Sequence, residues 1–134
     1  MYLLNQTTLA VRSRLEQALR GLSLTGIQYT VLSIVGSRDG ISSAELSRRF
    51  FVTPQTMNEI VTGLEKRGLL QREASAENKR ILTASLTQEG EDILVTCDAI
   101  ADEIEASVFS DMPEKDFHEL RRILGARLST LRGS

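Results

Sequence analysis

Tryptophan is absent from this 134-residue sequence, aromatics make up 4% of it, and there is one cysteine and one histidine. Each scarcity excludes something. A single cysteine cannot form an intramolecular disulfide, which fits a reducing cytosol. A single histidine, His118, flanked by carboxylates on one helix, does not make a zinc signature and reads as a solvated side chain. With so few aromatics, the core that the 41% apolar content supports must be mostly aliphatic, and that content argues against global disorder. No apolar run approaches the ~20 residues needed to span a bilayer. The start, Met1-Tyr2-Leu3-Leu4-Asn5-Gln6, has no basic n-region and no small-residue cleavage site, so a cytoplasmic protein with no membrane partner is expected. There is no Gly-rich phosphate loop, no nucleophile with a base beside it and no metal-ligand cluster. An enzyme is therefore the least expected class, and no cofactor is expected.

The net charge of −2 does not itself suggest a polyanion partner, but the charge is unevenly spread. Residues 1–90 carry 11 basic and 8 acidic groups, residues 91–119 carry 1 and 10, and residues 120–134 carry 4 and none. An acidic helix held away from a neutral-to-basic face would keep phosphates on one side. A solvated acidic helix face explains the run equally well.

Hydrophobic spacing divides the chain into helices and a small ribbon. Leu4, Leu9, Val11, Leu15, Ala18, Leu19 and Leu22 recur at helical intervals, which predicts a helix from Leu3 to about Arg20 ended by Gly21. Thr25-Gly26-Ile27-Gln28 has capping-box spacing and opens a second helix that stops near Arg38-Asp39-Gly40, where Asp-Gly signals a turn. Ser42-Ser43-Ala44-Glu45 repeats the box for a short third helix. A turn at Phe51-Val52 leads to Thr53 as N-cap and Pro54 at the first position of a fourth helix, a place where proline loses no hydrogen bond. In that helix Met57, Ile60, Val61 and Leu64 form the apolar stripe, with Gly68 as the C′ residue. Leu69–Glu73 and Arg80–Leu86 read as two strands joined by a polar hairpin. Thr87 then caps a long helix whose Ile93, Cys97, Ile100, Ile104 and Val108 line one side. After a break at Ser110–Pro113, Phe117, Leu120, Ile123, Leu124, Leu128 and Leu131 line a last helix. The first and last two helices are too apolar along one stripe to stand alone in water, and a partner chain is the simplest cover.

Helix, turn, helix, two-stranded ribbon and helix is the layout of a winged helix-turn-helix, so the fold expected is mostly α with a small β-wing. Residues 1–22 and 89–134 are expected to form a dimerisation region, and residues 23–88 the DNA-binding unit. The chain resembles the MarR family of bacterial transcription regulators over nearly its whole length. The resemblance is carried by Leu24-Thr25-x-x-Gln28-Tyr29-x-Val31-Leu32, by Leu46 and Val52-Thr53 around the turn, and by Leu64-Glu65-Lys66-Arg67-Gly68-Leu69 after the fourth helix. Lys79-Arg80 and Leu86-Thr87-x-x-Gly90 complete it. It implies a homodimer on double-stranded DNA with a near-palindromic operator, acting as a repressor relieved by a small aromatic effector or by cysteine oxidation. The wing departs from the family pattern: Asn78 stands where Asp is usual, and Glu77 where Arg is common.

On this layout Gln55, Thr56, Asn58, Glu59 and Thr62, with Thr53 at the helix start, are candidates for reading base edges. Gln and Asn pair bidentately with adenine, Thr meets the thymine methyl, and Glu accepts from cytosine. Arg48, Arg49, Lys66, Arg67 and Arg72 are candidates for phosphates or for surface ion pairs, and Lys79 and Arg80 for the wing's minor-groove contact. Cys97, on an apolar stripe beside Asp98, reads as a small hydrophobe rather than a redox sensor. Tyr29, Phe50, Phe51 and Phe109 either line an effector pocket or simply pack the core, and no effector site is assigned from them. The competing function is a winged-helix interaction scaffold that no longer reads DNA.

Overall fold

A computed structural model describes residues 1–38 and 40–133. Asp39, half of the expected Asp-Gly turn, lies outside the described residues. Helix α1 spans Tyr2–Leu19, but Gly21 does not end it. Arg20–Leu22 tighten into a 3₁₀ turn, and Ser23, at φ 54°, supplies the left-handed cap, its N–H donating to the Arg20 carbonyl at 3.0 Å. The tighter turn lets Leu22 and Leu24 fold back onto the core beside Leu19.

Helix α2, Gly26–Gly36, opens on the expected capping box: Thr25 accepts from the Gln28 N–H at 3.2 Å, and the Gln28 side chain accepts from the Thr25 N–H at 2.9 Å. Ser42 likewise caps α3, Ser43–Arg49, by accepting from the Glu45 N–H at 3.1 Å. The reciprocal half of that box is replaced, because the Glu45 carboxylate turns to the Arg38 guanidinium at 3.0 Å. Helix α4, Pro54–Lys66, starts at Thr53, which accepts from the Thr56 N–H at 3.1 Å. It ends in a Schellman motif, with Gly68 donating to Glu65 and Leu69 to Leu64 at 2.9 and 3.0 Å. That motif needs a left-handed residue, and Gly68 supplies φ +75° at no steric cost.

The expected two-stranded ribbon is part of a three-stranded antiparallel sheet of order β1-β3-β2. Strand β1 is only Ile41–Ser42, paired with Ala84 and Thr83 of β3. Two residues are too few to show a period in sequence. Strands β2, Leu70–Ala74, and β3, Leu82–Leu86, pair from Leu70 with Leu86 to Ala74 with Leu82. Arg80 and Ile81, expected in the second strand, remain in the hairpin because Asn78 holds both of their backbone N–H groups, at 3.1 and 3.0 Å.

The core is aliphatic. Met57, Val61 and Leu64 of α4 meet Leu46 of α3, Val31, Leu32 and Val35 of α2, and Ile41 and Ala84 of the sheet. Each large side chain among them contributes about 1.5–3 kcal/mol on leaving water. Thr87 joins this unit to helix α5, Gln88–Phe109. Its N–H donates to the Leu69 carbonyl at 3.1 Å, its hydroxyl donates to the Gly68 carbonyl at 2.5 Å, and the same oxygen accepts from the Gly90 N–H at 3.0 Å. Gly90 sits directly on the Leu69 carbonyl. The start of α5 is thereby pinned to the end of α4.

Helix α6, Glu114–Gly133, follows the expected break. Along α1 the apolar stripe is buried only at its C-terminal end: Leu19 is fully covered, whereas Leu4 and Leu9 are more than half exposed. On α6, Ile123, Leu124 and Leu128 are also exposed. These bare stripes belong to the segments expected to pair with another chain. Among the described residues, no helix is long and apolar enough to cross a membrane.

Candidate nucleic-acid interface

The turn between α3 and α4 is tight. Phe50 tucks against the core, Phe51 takes φ 55° and is 62% exposed, and the Val52 N–H returns to the Ser47 carbonyl at 3.2 Å. A non-glycine residue in the left-handed region costs on the order of 1–3 kcal/mol and persists only where its surroundings impose it. Here the turn aims the start of α4 outward. With the apolar stripe facing inward, Gln55, Thr56, Asn58 and Glu59 are exposed and Thr62 is half-buried. Thr53 builds the helix start: its hydroxyl caps α4 and donates to the Thr56 hydroxyl at 2.9 Å.

Two of the candidates for phosphates or surface ion pairs are engaged within the protein, Arg72 partly in an ion pair with Glu65. Arg72, on β2, donates to Asn58 Oδ1, Thr62 Oγ1 and Glu65 Oε1, each at 3.0 Å. These three residues are spaced i, i+4, i+7, so they form one row along α4. Arg72 lies across that row with its side chain only 17% exposed. It therefore ties β2 to α4, and its donors are held within the protein. Arg67 donates to the backbone carbonyls of Ser23 and Leu22 at 2.6 and 3.1 Å, fastening the end of α4 to the 3₁₀ turn. Backbone oxygens thus hold the guanidinium that was expected on a phosphate or in a surface ion pair. Arg48, Lys66, Lys79 and Arg80 are exposed and Arg49 is half-buried. Among the described residues, no salt bridge engages any of these five.

The wing is ordered by its unusual asparagine. Asn78 Oδ1 accepts from the Arg80 N–H at 3.1 Å, its carbonyl accepts from the Ile81 N–H at 3.0 Å, and the Ser75 N–H closes the hairpin on the Ile81 carbonyl at 2.8 Å. The acceptor that an aspartate would bring to this turn is present as an amide oxygen, without its charge. Lys79 and Arg80 stand exposed at the tip.

The remaining candidates do not assemble into one site. Phe50 and Phe51 lie at the helix-turn-helix corner, while Phe109 lies at the far end of α5, its ring 5.1 Å from that of Phe117. An open groove of about 460 Å³ between α5 and α6 is lined by Phe109, Phe117, Met112, Asp102 and Glu105. Tyr29 takes part in neither cluster. Its hydroxyl donates to Asp98 on α5 at 2.7 Å, and burial, then the bond to Asp98, push its phenol far above the ordinary value. Cys97 is fully buried, and burial followed by the charge of Asp98 raises its thiol, as expected of a packing residue. His118 is exposed on α6, 3.5 Å from Glu114, and the described residues hold no metal-ligand cluster.

A sequence profile described as MarR family matches residues 21–81. The HTH-type transcriptional repressor Rv2887 of Mycobacterium tuberculosis is 33% identical over 123 residues, covering 92% of this chain and 88% of that protein. The crystal structure of Rv2887, a MarR family protein, in complex with p-aminosalicylic acid superposes with a TM-score of 0.75 at 32% identity, over 93% of this chain and 95% of that one. CouR from Rhodococcus jostii RHA1, at 22% identity, shares the fold with a TM-score of 0.88 over 95% of this chain and 90% of its own.

Proposed function

The chain belongs to the MarR family of winged helix-turn-helix transcription regulators, and we propose that it acts as a homodimeric, sequence-specific repressor released from its operator by a small aromatic acid. The observation that carries the proposal is the polar outer face of α4, with Gln55, Thr56, Asn58 and Glu59 exposed, together with the exposed cations Lys66 at the end of α4 and Lys79 and Arg80 at the wing tip. On this reading Arg48 and Arg49 add phosphate contacts from α3. The bare stripes of α1 and α6 support residues 1–22 and 89–134 as the dimerisation region and residues 23–88 as the DNA-binding unit. Two such units place their recognition helices one helical turn apart, about 34 Å, on a near-palindrome. The p-aminosalicylic acid complex of Rv2887 supports an aromatic acid as effector. The effector acts by favouring a dimer whose helices no longer match successive grooves. The cytoplasm is the compartment where such a regulator meets its operator. The scaffold reading rests on the acidic balance and the depleted wing; the Asn78 turn, which keeps the hairpin ordered, weakens the second of these.

Fluorescence anisotropy tests the proposal, using a duplex from upstream of the protein's own coding sequence against a scrambled duplex, over a salt series. The expected result is binding to the native duplex alone, weakening steeply with salt. Arg80→Ala weakens binding on all sequences and lowers the salt slope by about one, whereas Gln55→Ala changes sequence preference. Equal loss on every sequence for both variants overturns this division of labour.

A further inference from the structure

The Arg72 clamp has a consequence for what Asn58 can read. The guanidinium is donor only, so the oxygen of the Asn58 amide, not its nitrogen, must face it. The observed 3.0 Å bond from Arg72 Nη1 to Asn58 Oδ1 has that sense. The two N–H donors of Asn58 Nδ2 are left at the exposed edge of α4, with no hydrogen-bond partner among the described residues. Bidentate pairing with adenine needs Oδ1 turned to N6 beside an Nδ2 donor to N7, whereas Arg72 takes one of the two Oδ1 lone pairs and fixes the oxygen toward β2.

We propose that Arg72 is a specificity-positioning residue: by holding Asn58 Oδ1 from the wing strand, it turns the Nδ2 donors of Asn58 to the exposed edge, so that Asn58 reads as a donor that favours guanine and rejects cytosine at its operator position. The inference rests on the DNA-reading function proposed above. Guanine presents two acceptors, O6 and N7, to a pair of donors. Cytosine presents only a donor, which the Asn58 donors oppose. Thr62 and Glu65 hold the other end of the fork, each 3.0 Å from Nη2, so the guanidinium cannot swing away without leaving the partly covered Glu65 carboxylate unpaired. The arrangement also removes Arg72 from the phosphates.

The test is selection of bound sequences from a duplex library with a randomised core, using the full chain, its Arg72→Met variant, which keeps the aliphatic stem and removes the donors, and its Asn58→Asp variant. Asn58→Asp keeps an acceptor for Arg72 and folds with an ion pair in place of the amide bond, so it reports even if Arg72→Met proves unstable. The wild type is expected to show one column per half-site that prefers guanine over cytosine by about tenfold. Asn58→Asp loses that preference, and Arg72→Met turns the same column toward adenine because the amide is then free to pair bidentately. The salt slope of Arg72→Met stays at the wild-type value, whereas loss of a phosphate contact lowers it by about one. An adenine column in the wild type, a guanine column that survives either substitution, or a reduced slope overturns the inference while leaving DNA reading intact. If the wild type enriches no motif, the function proposed above fails, and this inference with it.

Discussion

Replacing Gly90 with alanine tests the joint between the DNA-binding unit and the long helix α5. A Cβ at Gly90 would lie against the Leu69 carbonyl oxygen, well inside contact distance, and 3.0 Å from the carbonyl carbon. That carbonyl cannot rotate away, because it accepts from the Thr87 N–H at 3.1 Å and belongs to the chain leaving the Schellman motif. Overpacking against side chains costs about 1–3 kcal/mol. Against fixed backbone the upper end applies, and the helix-propensity gain of alanine over glycine, about 1 kcal/mol, offsets part of it. The expected net loss is about 2 kcal/mol, or a Tm lower by about 8 °C for a chain of this size. Gly63 is the control, since a Cβ there meets nothing within 4 Å. Gly63→Ala should gain up to about 1 kcal/mol and raise Tm by a few degrees. Both variants are compared with wild type by thermal unfolding at one protomer concentration, because dimerisation makes Tm concentration-dependent. If Gly90→Ala melts at or above wild type, the start of α5 is not seated on the Leu69 carbonyl.

Two further predictions concern α5. Tyr29→Phe removes the 2.7 Å bond to Asp98 and should cost about 1–2 kcal/mol at neutral pH. The folded state raises the Tyr29 phenol above its ordinary 10.0, so this contribution is complete below about pH 10 and declines as pH rises further. The stability gap between wild type and variant, read from urea unfolding, should therefore narrow in alkali, and a constant or widening gap contradicts the Tyr29–Asp98 tie. Cys97 should react with a thiol reagent far more slowly in the native protein than in urea, because the thiol is both buried and shifted upward. Rapid stoichiometric labelling of the native chain would revive the redox-sensor reading.

The parts of this fold that follow local rules were legible in the sequence. Thr25 with Gln28, Thr53 with Pro54, Thr87 before α5 and Gly68 after α4 each announce a helix end through chemistry confined to a few residues. What escaped depends on distant pairing. Strand β1 exists because Ile41 and Ser42 meet Ala84 and Thr83, more than forty positions along the chain. Phe51 in the left-handed region opposes its local preference and is imposed by the turn. Arg72 read as one more cation because its partners, Asn58, Thr62 and Glu65, lie 14, 10 and 7 residues upstream and are brought to it by the packing of β2 on α4. The clue was faint: Asn58, Thr62 and Glu65 share one flank of the helix, and a wing-strand arginine lies within reach of it. For Asn78, the unusual residue was legible but its adequacy was not, since only the hairpin geometry shows the amide oxygen on the Arg80 N–H.

These contacts also bear on how an effector signal can travel. Helix α5 is tied to the DNA-binding unit at Gly90, against Leu69, and again at Asp98, against Tyr29 of α2. About eight residues of α-helix separate the two ties, roughly 12 Å. Two ties so spaced, on different elements of one core, resist a pivot of α5 on that unit: a hinge at Gly90 must break the Tyr29 bond, and a slide must break the Thr87 contacts. The weakly held surfaces lie elsewhere, on the exposed apolar stripes of α1 and α6. On the proposed function, an effector that changes the spacing of the recognition helices acts by shifting one protomer against the other along those stripes, with α5 carried by the core it is tied to.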